Sequence, residues 1–130
     1  KTPAMITVGE LTQVSKLIKD VHFKQCDFRE AFKNMREGDF VYLDPPYAPE
    51  TKTSFVGYTK DGFGEKDHDE LFDLTKKSGV EFVMSNANVN MVTNAFSDYT
   101  IKELKARRAI NSKNPESMTT EVLVASSIQK

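Results

Sequence analysis

The chain has one cysteine, no tryptophan, and no apolar stretch near the ~18 residues that a bilayer-spanning helix requires. Cys26 has no C-x-x-C partner and no histidine cluster, which excludes an internal disulfide and leaves no basis for a structural metal site. No charged-then-apolar leader opens the sequence, so the expected location is cytoplasmic. An excess of one charge sign is also missing. The 18 Lys and Arg against 19 Asp and Glu give a formal net charge of −1, which disfavours a protein that coats nucleic acid non-specifically; any nucleic-acid contact must be local. Repeats and low-complexity tracts are absent as well, and 130 residues at 38% apolar content suffice for one hydrophobic core. The first residue is Lys1 and not Met, so a longer parent polypeptide is expected.

The apolar pattern alternates between helix-like and strand-like periods, which predicts an α/β layer structure. Thr7 and Glu10 have capping-box spacing, with Leu11, Val14, Leu17 and Ile18 on one face of a helix ending near Asp20. Residues 21–26 read as a short strand. Asp27 can cap a second helix carrying Phe28, Ala31, Phe32 and Met35 and stopped by Gly38. Residues 40–43 form a buried strand bounded by Gly38-Asp39 and Pro45-Pro46. Residues 48–65, with Pro49, Gly57, Gly62 and Gly64, read as a long loop, and loops that long inside a compact domain are usually functional or mobile. A helix over 66–78 closed by Gly79, a strand over 80–85, and a helix capped by Asn88 and running to Phe96 follow. Residues 99–104 and 121–127 are strands joined by a polar hairpin stretch, 106–120. The order fits half of a doubly wound, mostly parallel sheet with an antiparallel C-terminal hairpin. His68 and His22 read as ordinary surface residues.

In open parallel sheets, chemistry gathers beyond the carboxyl ends of the strands, where Asp44-Pro45-Pro46-Tyr47 falls. The two prolines remove backbone donors and fix φ, so the Pro45 carbonyl can face outward with the Asp44 carboxylate beside it. Two convergent acceptors suit a planar NH₂ group, each taking one N–H, and Tyr47 offers a flat face on which a ring can stack. The competing reading is a strand ending in a tight Asp-Pro turn.

The stretch Val41-Tyr42-Leu43-Asp44-Pro45-Pro46-Tyr47-Ala48-Pro49 resembles the catalytic motif of Dam-type DNA adenine-N6 methyltransferases, which use S-adenosylmethionine. Residues 23–28, Ser54-Phe55, Tyr58, Gly62-Phe63, Ser85-Asn86, Arg107-Arg108-Ala109-Ile110 and Glu121-Val122-Leu123 resemble that family in content and order. The resemblance implies a partial Rossmann-like methyltransferase fold acting on double-stranded DNA with a flipped adenine. Asp44, Pro45, Pro46 and Tyr47 would then hold the target amine and its ring. Asp27 and Phe28, with Asp44, would line the S-adenosylmethionine pocket, although Asp27 serves equally as a plain helix cap. Phe55, Tyr58 and Phe63 would close over the site or merely anchor their loop. Arg107 and Arg108 would contact DNA phosphates or form part of a solvated hairpin.

The family's Phe-x-Gly-x-Gly cofactor turn is missing; Gly62-Phe63-Gly64 has no strand ahead of it and reads as a hinge. Residues 1–20 would be the tail of the target-recognition insertion or a leading helix, and 21–130 the C-terminal part of the catalytic domain. An N-terminal half of the same enzyme is then a partner. The alternatives are an RNA or protein amino-group methyltransferase, whose related motifs usually begin with Asn, and a non-catalytic fragment that associates with a partner chain.

Overall fold

The computed structural model describes residues 6–49, 62–107 and 118–126. Helix α1 (Val8–Leu17) begins at the expected capping box: Thr7 Oγ1 accepts the Glu10 N–H, and Glu10 accepts from the Thr7 backbone N–H at 2.7 Å. Its apolar face is exposed, with Leu11 at 51% and Leu17 at 81%. Helix α2 (Phe28–Lys33) is capped by Asp27, which accepts the Arg29 N–H at 2.8 Å. This helix is shorter than expected because the Asn34 side chain donates back to the Glu30 carbonyl and ends it, leaving Gly38 (φ 90°) to the turn beyond.

The remaining elements are β1 (Phe40–Leu43), α3 (Glu65–Lys77), β2 (Glu81–Ala87), α4 (Asn90–Ala95), β3 (Thr100–Arg107) and β4 (Met118–Ala125). Gly79 adopts φ 70° just past α3, the left-handed conformation that lets the chain turn into β2. Asn88 does not cap α4. Its side chain crosses to Glu103 Oε1 on β3 at 2.9 Å, and Val89 takes the cap position.

The strands form one sheet in the order β1-β2-β4-β3. Only β1 and β2 are parallel, linked through α3, while β4 pairs antiparallel with both β2 and β3. The expectation of a mostly parallel sheet is therefore corrected to a mixed α/β fold with one parallel pair among the described strands. The expected strand over 21–26 is absent too: these residues are irregular and exposed, Phe23 at 77%. Alternating apolar residues make a strand only where a neighbouring ladder accepts them. The hairpin strands are longer than their apolar cores, because Lys105, Ala106 and Arg107 pair with Thr120, Thr119 and Met118.

The core lies where α3 and α4 cover the sheet. Phe72, Phe82, Met84, Val92, Phe96, Val122 and Val124 are at most 2% exposed. Phe96 sits at the centre of an aromatic cluster, 5.1 Å from Phe72 and 5.4 Å from Tyr99 between ring centroids. Ala48, at 2% exposure, belongs to this same core.

Candidate functional site

Strand β2 alternates in burial at its start and is then buried continuously through Met84, Ser85 and Asn86. Both faces of the sheet are covered at this end, and the cover on one side is the segment that leaves β1. Asn86 pairs with Val122, while Ala87 pairs with Glu121. Strand alternation therefore puts Asn86 on the face packed by the helices, and Ser85 and Glu121 together on the other.

The Asp44–Tyr47 segment wraps this end of the sheet. Asp44 is exposed, and its Oδ1 accepts a 2.9 Å hydrogen bond from Ser85 Oγ. Tyr47 donates its hydroxyl to Glu121 Oε2 at 3.2 Å. Partial burial of the ring raises the Tyr47 phenol above its ordinary range; the Ser85 hydroxyl opposes the shift, and the Glu121 and Asp44 carboxylates add to it. Ala48 passes to the core side, and Asn86 Oδ1 accepts its backbone N–H at 2.9 Å as well as the Ala87 N–H at 2.8 Å. With its oxygen so used, the buried Asn86 Nδ2 has no hydrogen-bond partner among the described residues.

The two proline carbonyls differ. That of Pro45 has no hydrogen-bond partner among the described residues, whereas that of Pro46 lies 2.9 Å from Nε2 of His68. His68 is 1% exposed and packs edge-on against Phe63 at 4.7 Å, which corrects its expected place on the surface. The signal was available in the sequence, since His68, Leu71, Phe72 and Thr75 repeat at i, i+3, i+4 and i+7, and all four are buried. His22 is exposed and outside any strand.

Phe28 lies 5.8 Å from Phe63, so contacts run from Phe28 through Phe63 and His68 to Pro46. This joins the start of α2 to the segment after β1. Arg29, stacked on the Phe28 ring at 4.4 Å, reinforces the junction by bonding Asp67 at 2.8 Å and Glu70 at 2.7 Å on α3. These bonds lower the Asp67 carboxyl below its usual range, helped by the Gly64 N–H that Asp67 accepts. The Asp27 carboxylate acts as a helix cap and also faces Arg29, the plainer of its two expected roles.

Phe55, Tyr58 and Arg108 lie outside the described residues; Arg107 ends β3 opposite Met118. Among the described residues no three His, Cys, Asp or Glu side chains converge as metal ligands, and no helix is long and apolar enough to cross a membrane. Sequence reading missed Glu121 and His68 as neighbours of the motif. Glu121 gave no warning, being one charged residue at the start of an apolar run.

The family model described as D12 class N6 adenine-specific DNA methyltransferase matches residues 1–110. The type II methyltransferase M1.LlaDCHI of Lactococcus lactis subsp. cremoris is 31% identical over 95% of this chain and 46% of its own length. The type II methyltransferase M.MjaIII of Methanocaldococcus jannaschii is 36% identical over 87% of this chain and 41% of its own. A DNA adenine methylase of Haemophilus influenzae is 30% identical over 82% and 39%. The chain thus spans less than half the length of these curated relatives.

Proposed function

The chain belongs to the D12 class of N6 adenine-specific DNA methyltransferases, and on that premise we propose that it forms the methyl-acceptor side of an enzyme transferring a methyl group from S-adenosylmethionine to the N6 amine of adenine in DNA. The observation carrying this reading is the pairing, at the end of β1, of a Ser85-oriented Asp44 carboxylate with a Pro45 carbonyl that has no hydrogen-bond partner among the described residues. Two acceptors on consecutive residues match the two hydrogens of one exocyclic amine. The adenine reaches them by leaving the duplex stack, and Tyr47 supplies the replacement stacking surface.

Asp44 and Pro45 would each accept one N–H, turning the nitrogen lone pair out of conjugation with the ring and toward the methyl donor. When bound, S-adenosylmethionine supplies an electrophilic methyl group on a sulfonium. The chain's own contribution would be to align the amine for an in-line displacement. Asp44 would act as an oriented acceptor, held by Ser85. The residues fit one wall of a cofactor site: an exposed carboxylate at Asp44 suits a cationic ligand, and Phe28 offers a half-buried ring joined to the motif through Phe63 and His68.

In this reading the fold is the C-terminal part of a Rossmann-like methyltransferase domain over 21–130, residues 1–20 lead into it from the target-recognition region, and Arg107 with Arg108 faces the DNA backbone. A second polypeptide segment bearing the Phe-x-Gly-x-Gly turn completes the cofactor pocket, and the enzyme works in the cytoplasm. The test titrates the purified chain with labelled S-adenosylmethionine and an adenine-containing duplex, with and without that segment. Methylation of the adenine amine only with both parts present is expected. Transfer to an RNA or protein amine instead, or none with the complete enzyme, would overturn the reading.

A further inference from the structure

We propose that His68 is a positioning residue for the target-base site, fixing the Pro46 carbonyl and through it the direction of the Tyr47 ring. The inference rests on the methyl-acceptor reading above. Both prolines have φ fixed by their rings, and ψ of Pro45 is restricted because a proline follows it. The soft dihedral left in the pair is ψ of Pro46, which sets where the Pro46 carbonyl points.

His68 Nε2 lies 2.9 Å from that oxygen. Both ring nitrogens face carbonyl oxygens, which only accept, and a neutral imidazole has one hydrogen between them; carried on Nε2, it donates to Pro46 and holds ψ of that residue. On the far side of Tyr47, the Ala48 N–H is held by Asn86 Oδ1 at 2.9 Å. The peptide planes before and after Tyr47 are thereby fixed from α3 and β2, and these two planes determine the direction of its Cα–Cβ bond. The imidazole is itself held by packing, with Phe63 and Phe72 edge-on at 4.7 and 5.9 Å. At 1% exposure, the ring leaves no room for water to replace it as donor.

The experiment compares His68→Leu, which fills much of the volume without a donor, and His68→Gln, whose amide can present a donor near the position of Nε2, in the full-length enzyme. His68→Leu should lower kcat about 10- to 100-fold, as expected for a misplaced reacting group. Its Kd for S-adenosylmethionine should stay within about twofold, while the fluorescence of 2-aminopurine at the target position changes, reporting altered stacking on Tyr47. His68→Gln should retain kcat within about threefold. A folded His68→Leu with normal kcat, or equal losses in the two variants, would overturn the inference in favour of simple packing. Should His68→Leu fail to fold, His68→Gln against the shorter His68→Asn provides the same contrast of reach. Asp44→Ala run in parallel separates the premise from the inference: an active Asp44→Ala overturns the methyl-acceptor reading, whereas an inactive Asp44→Ala beside a normal His68→Leu overturns the role of His68 alone.

Discussion

Ser85 and Asp44, brought together by the parallel pairing of β1 with β2, share a 2.9 Å hydrogen bond in which the hydroxyl donates to the carboxylate. The bond holds the carboxylate in one orientation at the exposed end of the strand. Asp44→Ala should abolish methyl transfer and leave S-adenosylmethionine binding within a few-fold. Ser85→Ala keeps the carboxylate and loses its orientation, a loss of about 1 kcal/mol or roughly fivefold in kcat. Single-turnover rates with labelled cofactor check both, and wild-type turnover in Asp44→Ala would sink the assignment.

For Tyr47, the ring and the hydroxyl have separable tasks. Tyr47→Ala should lose ~1 to 3 kcal/mol of transition-state stabilisation, whereas Tyr47→Phe should be mild because stacking needs only the ring. Equal losses would give the decisive role to the hydroxyl bond with Glu121.

The raised Tyr47 phenol has a consequence in alkali. The folded protein holds this proton to higher pH than the unfolded chain does, so the associated stability is intact below the ordinary tyrosine range and is lost as pH rises through the folded value. Denaturant midpoints followed across alkaline pH should fall less steeply in Tyr47→Phe than in the wild type. Parallel curves would rule out this linkage.

At low pH the junction between α2 and α3 should fail first at Asp67. Its carboxyl is held down by Arg29 and by the Gly64 N–H, so its contribution is present above the ordinary carboxylate range and disappears as pH falls through the folded value. Arg29→Met should lower the thermal midpoint at neutral pH, and the gap from wild type should close on acidification. A gap independent of pH would assign the loss to packing on Phe28.

Replacing Arg107 and Arg108 by Ala should weaken DNA binding and reduce the salt slope by about one for each phosphate that is no longer neutralised. An unchanged slope would leave the pair as solvated surface.

Local chemistry in the sequence carried much of the fold. The Thr7–Glu10 box, the Gly79 turn and the strand ahead of Asp44 each depend on residues within a few positions and stand where the pattern puts them, although that strand is not the buried one expected, since Phe40 and Tyr42 on its outer face are exposed. What failed depended on distant partners. Residues 21–26 have an extended pattern but lack a ladder, and Asn88 reaches for Glu103 instead of the helix beside it. The candidate site divides the same way: Asp44–Tyr47 stands out as a tetrapeptide, but the side chains that touch it and Ala48, namely Ser85, Glu121 and Asn86, come from strands whose register no local pattern specifies. His68 is the exception: its helical spacing with Leu71, Phe72 and Thr75 carried the signal of burial, and the surface reading given to it overlooked that period.

The placement of β4 between β2 and β3 reverses spatial and temporal order. During synthesis β3 emerges before β4, yet it has no ladder to β2 until β4 arrives to bridge them. A ribosome must therefore translate through Ala125, and the nascent chain must clear the exit tunnel, before the sheet has its middle and Tyr47 has Glu121 to bind. Until that moment Ser85, Asn86 and His68 already have the means to hold Asp44, Ala48 and Pro46, and a chain released early would carry that segment with only the Tyr47 hydroxyl left untied.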